Sequence, residues 1–391
     1  MVGSALIVGV LAACASRPMQ PPLNGPQTAS VPGAPTSPSG SSGGSPAQPL
    51  SDEVALALPQ ITQAKSRWVA VRWSELPGFE DDALHEAWNA WLRSCEKPAA
   101  NFAALCADVR RLSIASADGQ RQWLAEKLQP YRVEPLQNDP QGAGLLTAYF
   151  EPTLDASRLP TANFKTPLYQ PPPGLAARKP WFTRQEIDTL PAAQMALKGR
   201  EIAWLADPVD ALVLQIQGSG RLRITQADGS KVMVRLAYAG SNEQPYKSVG
   251  RWLLDQGAIK DATWPGIKAW TVQNPKRVQE MLWSNPRTVF FREEPLPEGD
   301  ASPGPKGAQG VPLTPGRSIA VDPGSSPYGT PVWLASGGPQ VNLQRLVLAQ
   351  DTGSAIVGAV RADYFVGWGP QAGELAGRLK QPLKLWVLWP K

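Results

Sequence analysis

Beyond roughly residue 50, apolar positions recur along this chain with two different periods. Over 51–135 the spacing is helical. Leu84, Trp88, Trp91 and Leu92 fall on one face, and Ser51-Asp52-Glu53 has the capping chemistry of a helix start. From Gly144 onward the period shortens toward two. Short β-type runs at 145–150, 211–216, 221–225 and 231–236 are separated by Gly, Pro and Asp turns. Further runs follow at 283–292, 319–321, 332–334, 346–349 and 385–388. Helical patches near 183–188 and 246–281 interrupt them. Strand and helix never alternate regularly, which argues against a parallel doubly wound sheet. Many short strands predict β-barrels. A Pro/Gly-rich insert at 295–312 sets off the last stretch of roughly eighty residues.

Residues 17–49 break both patterns. They are Pro, Gly, Ser, Ala and Gln with almost no large apolar side chain, so they cannot bury enough surface to offset their ordering entropy and are expected to form a flexible tether. Ahead of them, 2–13 is an apolar run shorter than the ~20 residues of a membrane span. It ends in Leu11-Ala12-Ala13-Cys14, small residues before a thiol that can accept a lipid, as in a bacterial lipobox. Ala15 after the cysteine, rather than Asp, fits delivery to the outer membrane, on its periplasmic face. With 42% hydrophobic and 18% charged residues, the remainder is expected to fold around a core. The net charge of +5 is modest, and no dense Lys/Arg stripe of the nucleic-acid-binding kind occurs.

Only Cys95 and Cys106 remain once Cys14 is set aside. Export makes a disulfide between them chemically allowed, with Lys97-Pro98 supplying the necessary turn; two buried free thiols are the alternative. The single histidine, His85, leaves no Ser–His or Cys–His machinery and nearly excludes a His- or Cys-based metal site. Gly218-Ser219-Gly220 superficially suggests a dinucleotide loop, but it falls between two expected strands rather than before a helix. Carboxylates are what remain for catalysis. Asp322, Asp351 and Asp363 each adjoin a strand-like run near the end of the chain. Turn capping accounts for an Asp followed by Pro or by Thr-Gly. It does not account for Asp363, which is followed by Tyr364 and Phe365; an acid among aromatics is desolvated, which raises its pKa, and Asp351 is a candidate like-charged neighbour.

Five separated motifs, in order, give the chain a resemblance to the membrane-bound lytic murein transglycosylase A family over about 55–391. They are Leu146-Thr147-Ala148-Tyr149-Phe150-Glu151-Pro152; Leu214-Gln215-Ile216-Gln217-Gly218-Ser219-Gly220; Tyr238-Ala239-Gly240-Ser241-Asn242; Asn285-Pro286-Arg287-Thr288-Val289-Phe290-Phe291; and the three-aspartate segment. Ala148 and Ser354 stand where the family commonly has glycine. The resemblance implies a mainly β fold with a helical N-terminal part: a double-psi β-barrel into which a second, smaller β-barrel is inserted, with a groove between them. The implied organisation is a signal peptide at 1–13, a lipidated tether at 14–50, helices and the first part of the barrel at 51–150, the inserted barrel at 151–285, and the rest of the double-psi barrel at 286–391.

The implied activity is that of a lytic exotransglycosylase on peptidoglycan, monomeric and needing no cofactor, held to the inner leaflet of the outer membrane through Cys14 and working beside cell-wall synthesis proteins. Its catalytic acid matches Asp363, with Asp351 and Asp322 completing the three-aspartate module. Neutral Asp363 would protonate the oxygen between N-acetylmuramic acid and N-acetylglucosamine, then recover a proton from the muramoyl C6 hydroxyl as it attacks its own anomeric carbon. Thr147, Tyr149, Gln217, Ser219 and Tyr238 are candidates for gripping the glycan, with local turn hydrogen bonds as the alternative. The fifteen tryptophans, Trp204, Trp270, Trp333 and Trp368 among them, offer stacking faces or core volume. Two other functions fit the same residues: a wall-binding lipoprotein without catalysis, and a hydrolase pairing Asp351 with Asp363.

Overall fold

The computed structural model describes residues 58–136, 144–296 and 303–391. Cys14, the expected tether and the expected helix start at Ser51 lie outside them.

In chain order, β1 (Ile61–Thr62) and β2 (Ser66–Ala70) precede helices α1 (Leu84–Ser94), α2 (Cys106–Arg111) and α3 (Ala117–Lys127). Strands β3 (Leu128–Pro135) and β4 (Gly144–Glu151) follow. The chain then runs through β5 (Thr153–Ser157), β6 (Thr166–Tyr169), α4 (Arg184–Thr189), α5 (Pro191–Leu197), β7 (Glu201–Leu205) and α6 (Pro208–Gln217). Next come β8 (Ser219–Thr225), β9 (Lys231–Ser241), α7 (Val249–Asp255), α8 (Trp264–Gln273), α9 (Val278–Trp283) and β10 (Val289–Pro295). The last part holds β11 (Ser318–Val321), β12 (Pro331–Gly337), β13 (Asn342–Asp351), β14 (Arg361–Trp368), α10 (Gly369–Arg378) and β15 (Lys380–Pro390).

Two sheets result. In the first, β4, β15, β12, β13, β11 and β14 pair in a closed ring, because β15 reaches β4 on one side while β14 reaches it on the other. Parallel pairs β11–β13 and β14–β4 sit among antiparallel ones, as expected of the double-psi barrel. Strands β3, β2 and β1 extend the sheet outward from β15. The second sheet, ordered β10-β9-β8-β5-β7-β6, is built from the sequence between β4 and β11 and is therefore an insertion into the barrel.

Among the described residues five hydrophobic clusters hold this together, three of them in and around the sheets. Leu146, Ile319, Val321, Val347, Ala362 and Leu385 fill the barrel. Trp88, Trp91 and Trp123 of the N-terminal helices pack on the outer faces of Trp333, Leu346 and Trp386. Leu222, Ile224, Leu236 and Phe291 form the centre of the inserted sheet. Arg317, almost fully buried, ties the first two together: it donates to both carboxylate oxygens of Asp82 at 2.8 and 2.9 Å and to Glu86 at 2.8 Å. Cys95 and Cys106 are joined in a disulfide.

Four expectations are corrected. The run at 211–216 lies in helix α6, not a strand. Its apolar residues serve two cores, Ala211 and Leu214 facing the sheet and Val209 and Leu212 facing helices α7–α9, so no single-face period survives. The decisive local signals are the Asp207 cap, Pro208 at the first turn and Gly218 at φ 81° after the last. Gly218-Ser219-Gly220 accordingly joins a helix to a strand. The helical reading of 51–135 fails at β2 and β3, where Tyr131 and Val133 alternate toward the barrel. The run at 283–292 divides, with α9 ending at Trp283 and β10 beginning at Val289. Because β10 pairs with β9, the inserted sheet ends near Pro295 rather than at 285.

Candidate active site

Strand register builds the site. In β11, Ala320 stands opposite Asp351 of β13 on one side and Asp363 of β14 on the other; Asp363 is in turn opposite Thr147 of β4. One row across four adjacent strands therefore carries Asp351, Ala320, Asp363 and Thr147. A register shift between Ile319 and Ala320 lets the parallel pair bring Asp351 into that row. Alternation along β4 puts Tyr149 on the same face as Thr147, with its ring centroid 5.2 Å from that of Phe365.

The row opens into a groove between barrel and insertion. One cavity, of about 370 Å³, is lined by Thr147, Tyr149, Asp351, Arg361 and Asp363 from the barrel and by Arg184, Gln215, Tyr246, Trp264 and Arg287 from the insertion. A second, of about 630 Å³, shares Tyr149, Gln217, Arg287 and Asp351 with it and continues past Ser219, Tyr238, Lys97 and Lys306. Ala148 and Ser354, the departures from the family pattern, both line the first cavity.

The two aspartates are held differently. Asp363 accepts the Thr147 hydroxyl on Oδ1. Thr147 in turn accepts from Arg361 Nη2 at 2.8 Å. Among the described residues Oδ2 of Asp363 has no partner. Burial raises the Asp363 pKa above the ordinary range, opposed by the Thr147 hydrogen bond and the Arg361 charge. Asp351 is engaged on both oxygens, by Ala308 N–H at 2.9 Å and by the Tyr149 hydroxyl at 2.9 Å. Burial, with the Asp363 charge adding to it, pushes Asp351 up to about 6. Burial and Asp351 together hold Tyr149 far above its usual range, so it stays a phenol and a donor.

Of the other expected residues, Gln217 accepts the Phe150 N–H at 3.0 Å, tying the end of α6 to β4 at the groove. Ser219 and the exposed Tyr238 line the second cavity. Asp322 is not brought to either cavity. Its carboxylate takes Lys65 at 2.8 Å and the N–H groups of Gly324 and Gly358 at 3.0 and 2.9 Å. Burial works to raise its pKa, but those three donors outweigh it and leave it lowered. None of the tryptophans named from the sequence faces either cavity. Trp270 and Trp333 are core, Trp204 sits within the inserted sheet, and Trp368 is covered by the Arg221 guanidinium at 3.8 Å. Among the described residues Trp264 is the tryptophan that lines the groove. His85 is exposed on α1, away from the site.

Sequence reasoning passed over Arg361, Arg184, Tyr246 and Trp264. Arg361 was reachable, since it lies two residues before Asp363 and shares its face. The other three come from helices and loops of the insertion and carry no local mark of their position.

Comparison with known proteins agrees with this architecture. Residues 145–292 match the family model described as the MltA specific insert domain, and 317–389 match the 3D domain. The membrane-bound lytic murein transglycosylase A of Vibrio cholerae is 33% identical over 265 residues, 64% of this chain and 66% of that protein, so the alignment spans just under two thirds of the relative. A solved lytic transglycosylase, LtgG, of Burkholderia pseudomallei is 43% identical with a TM-score of 0.55, covering 86% of this chain and 99% of that one. The E. coli MltA structure with bound chitohexaose has a TM-score of 0.64 at 25% identity, covering 85% of this chain and 96% of that one.

Proposed function

Because this chain belongs to the membrane-bound lytic murein transglycosylase A family, we propose that it is a lytic transglycosylase that cleaves the β-1,4 bond between N-acetylmuramic acid and N-acetylglucosamine in peptidoglycan, leaving a 1,6-anhydro end. The observation that carries this reading is the contrast between the two aspartates. Asp351 has both oxygens occupied by protein donors, while Asp363 has one oxygen pinned by Thr147 and the other without a partner among the described residues, in a groove of two adjoining cavities of about 370 and 630 Å³.

Burial raises the Asp363 pKa and so favours the protonated form that a proton donor needs. The acid gives its proton to the glycosidic oxygen as the C1–O bond breaks, and the leaving N-acetylglucosamine departs with a new 4-hydroxyl. The muramoyl C6 oxygen then bonds to C1, and its proton returns to the Asp363 carboxylate. No water is consumed and the enzyme ends as it began. Because the nucleophile belongs to the substrate, its effective concentration reaches roughly 10⁵ M or more, and no second carboxylate is needed to activate water. The engagement of Asp351 supports one acid over a hydrolytic pair, which needs a free base. The chitohexaose bound by the E. coli relative supports an oligosaccharide ligand for this groove.

The test is mass spectrometry of purified glycan strands after digestion. Products lighter by one water than reducing-end fragments are expected, and Asp363→Asn should lower turnover by at least about 10³-fold while binding persists. Reducing ends would establish a hydrolase instead, and intact strands a binding protein.

The reading extends to a lipid on Cys14 and an outer-membrane location on the periplasmic side, supported by the lipobox and by relatives named as membrane-bound. Among the described residues no helix is long and apolar enough to cross a membrane.

A further inference from the structure

The groove carries cations that have no carboxylate partner among the described residues. The Arg184 side chain is only 9% exposed, and it donates to Asn285 O at 3.0 Å, to Gln215 Oε1 at 2.7 Å and to the Arg287 carbonyl. All three acceptors are uncharged. Arg287, half-buried in the groove, donates to the Gln244 carbonyl at 3.1 Å. Among the described residues neither guanidinium has a carboxylate within ion-pair distance; Asp188 acts on Arg184 only from farther away. Lys97 and Lys306, exposed along the second cavity, are likewise without a carboxylate partner there, while neighbouring Arg292 is paired with Glu294 at 2.8 Å. Among the described residues Asp351 is the one acid lining that cavity, and its oxygens are already taken.

A buried guanidinium without a counter-charge costs stability, and a groove built on several of them has its charge balance completed by what binds there. A chitin chain has no charge to offer. In a peptidoglycan strand every second sugar differs from its neighbour by one group, the lactyl ether, which ends in a carboxylate or continues into a peptide bearing carboxylates. Both sugars have a C6 hydroxyl and an acetamido group. Only the lactyl substituent can therefore tell an enzyme which of two registers places a muramoyl residue at the acid.

We infer that Arg287, backed by Arg184 and flanked by Lys97 and Lys306, forms a subsite for a carboxylate carried by the muramoyl side chain, and that this subsite sets the register of the glycan at Asp363. The inference rests on the transglycosylase reading and adds the group by which the substrate is recognised. Arg287 offers a planar fork suited to a carboxylate, and its neighbours add field without demanding exact placement.

Calorimetric titration of the full chain carrying Asp363→Asn tests it with three hexasaccharides: chitohexaose, a peptide-free peptidoglycan strand with open lactyl carboxylates, and the same strand with its stem peptides. At low salt at least one charged strand should bind about tenfold more tightly than chitohexaose, and the gap should narrow as salt shortens the reach of the charges. A gap with the peptide-free strand assigns the lactyl carboxylate; a gap confined to the peptide-bearing strand assigns the stem. Arg287→Gln should close most of the gap, weakening the charged strands by more than it weakens chitohexaose. Lys306→Gln, at an exposed position that folding tolerates, should close part of it. Equal affinity for all three strands overturns the subsite and leaves the function standing, as does a variant that weakens all three equally. Failure of every glycan to bind overturns both.

Discussion

Thr147 is a hydroxyl held from two sides, accepting from Arg361 while donating to Asp363. With its proton direction set, Thr147 fixes which oxygen of Asp363 stays free to hold the proton used in the proposed reaction. Both partners also depress the Asp363 pKa against the rise caused by burial. Removing either leaves the acid form intact to higher pH, so Arg361→Gln and Thr147→Val should each move the alkaline limb of the kcat/KM profile upward, with a lower plateau as positioning is lost. A downward shift, or none in either variant, would refute this role. Asp351 supplies a second pH effect. Its pKa of about 6 in the folded protein lies above the ordinary 3.8, so the folded state binds its proton more tightly than the unfolded chain does. The resulting stabilisation is whole below about pH 4 and is lost as pH rises through 6. Asp351→Asn should therefore gain stability relative to the unsubstituted protein between pH 4 and pH 8, by on the order of 3 kcal/mol at most, less the cost of turning an NH₂ toward Ala308 or Tyr149. Denaturant melts at both pH values measure this, and a gap that does not grow with pH would contradict it.

At the scale of elements, one residue joins the two sheets. Glu151 ends β4, and its fully buried carboxylate takes Arg221 of β8 at 2.8 Å and Arg235 of β9 at 2.6 Å. Arg235 continues to the Pro303 carbonyl at 2.6 Å, and Arg221 lies over Trp368 beside Glu151 in register. Glu151→Gln leaves two buried guanidinium groups sharing a neutral acceptor and should cost about 3–5 kcal/mol in chemical denaturation; a loss below about 1 kcal/mol would show the cluster to be dispensable. The same strands show how far local pattern carries. Runs at 145–150, 221–225, 231–236, 319–321, 332–334, 346–349 and 385–388 each lie within or match an observed strand, because each is a short apolar run that packs one face or both on a core. Helix α6 was misread because both its faces are buried. Asp363 could be singled out because Tyr364 and Phe365 removed the turn explanation. Asp322 shares the strand-end pattern of Asp351, yet its partners are Lys65 and two loop amides, and nothing in the neighbouring residues announces a lysine from 257 positions away.

For the whole molecule, the proposed lipid and the Pro/Gly-rich segment after it bear on where the groove operates. Cys14→Ser should release the protein from the membrane fraction into a soluble periplasmic extract, with activity on isolated glycan strands unchanged within about twofold, since a tether of this composition sets reach rather than chemistry. Retention of that variant in the membrane fraction would point to another means of attachment. The barrel itself carries a temporal consequence. Its ring is completed by β15, which follows every other strand in chain order and pairs with β4, β12 and β3 at once. Until β15 docks, β4 has lost one flank, and the carboxyl that would cut the wall has no finished scaffold. In the proposed reading a half-assembled barrel is therefore harmless, and the blade takes its edge from the closing strand.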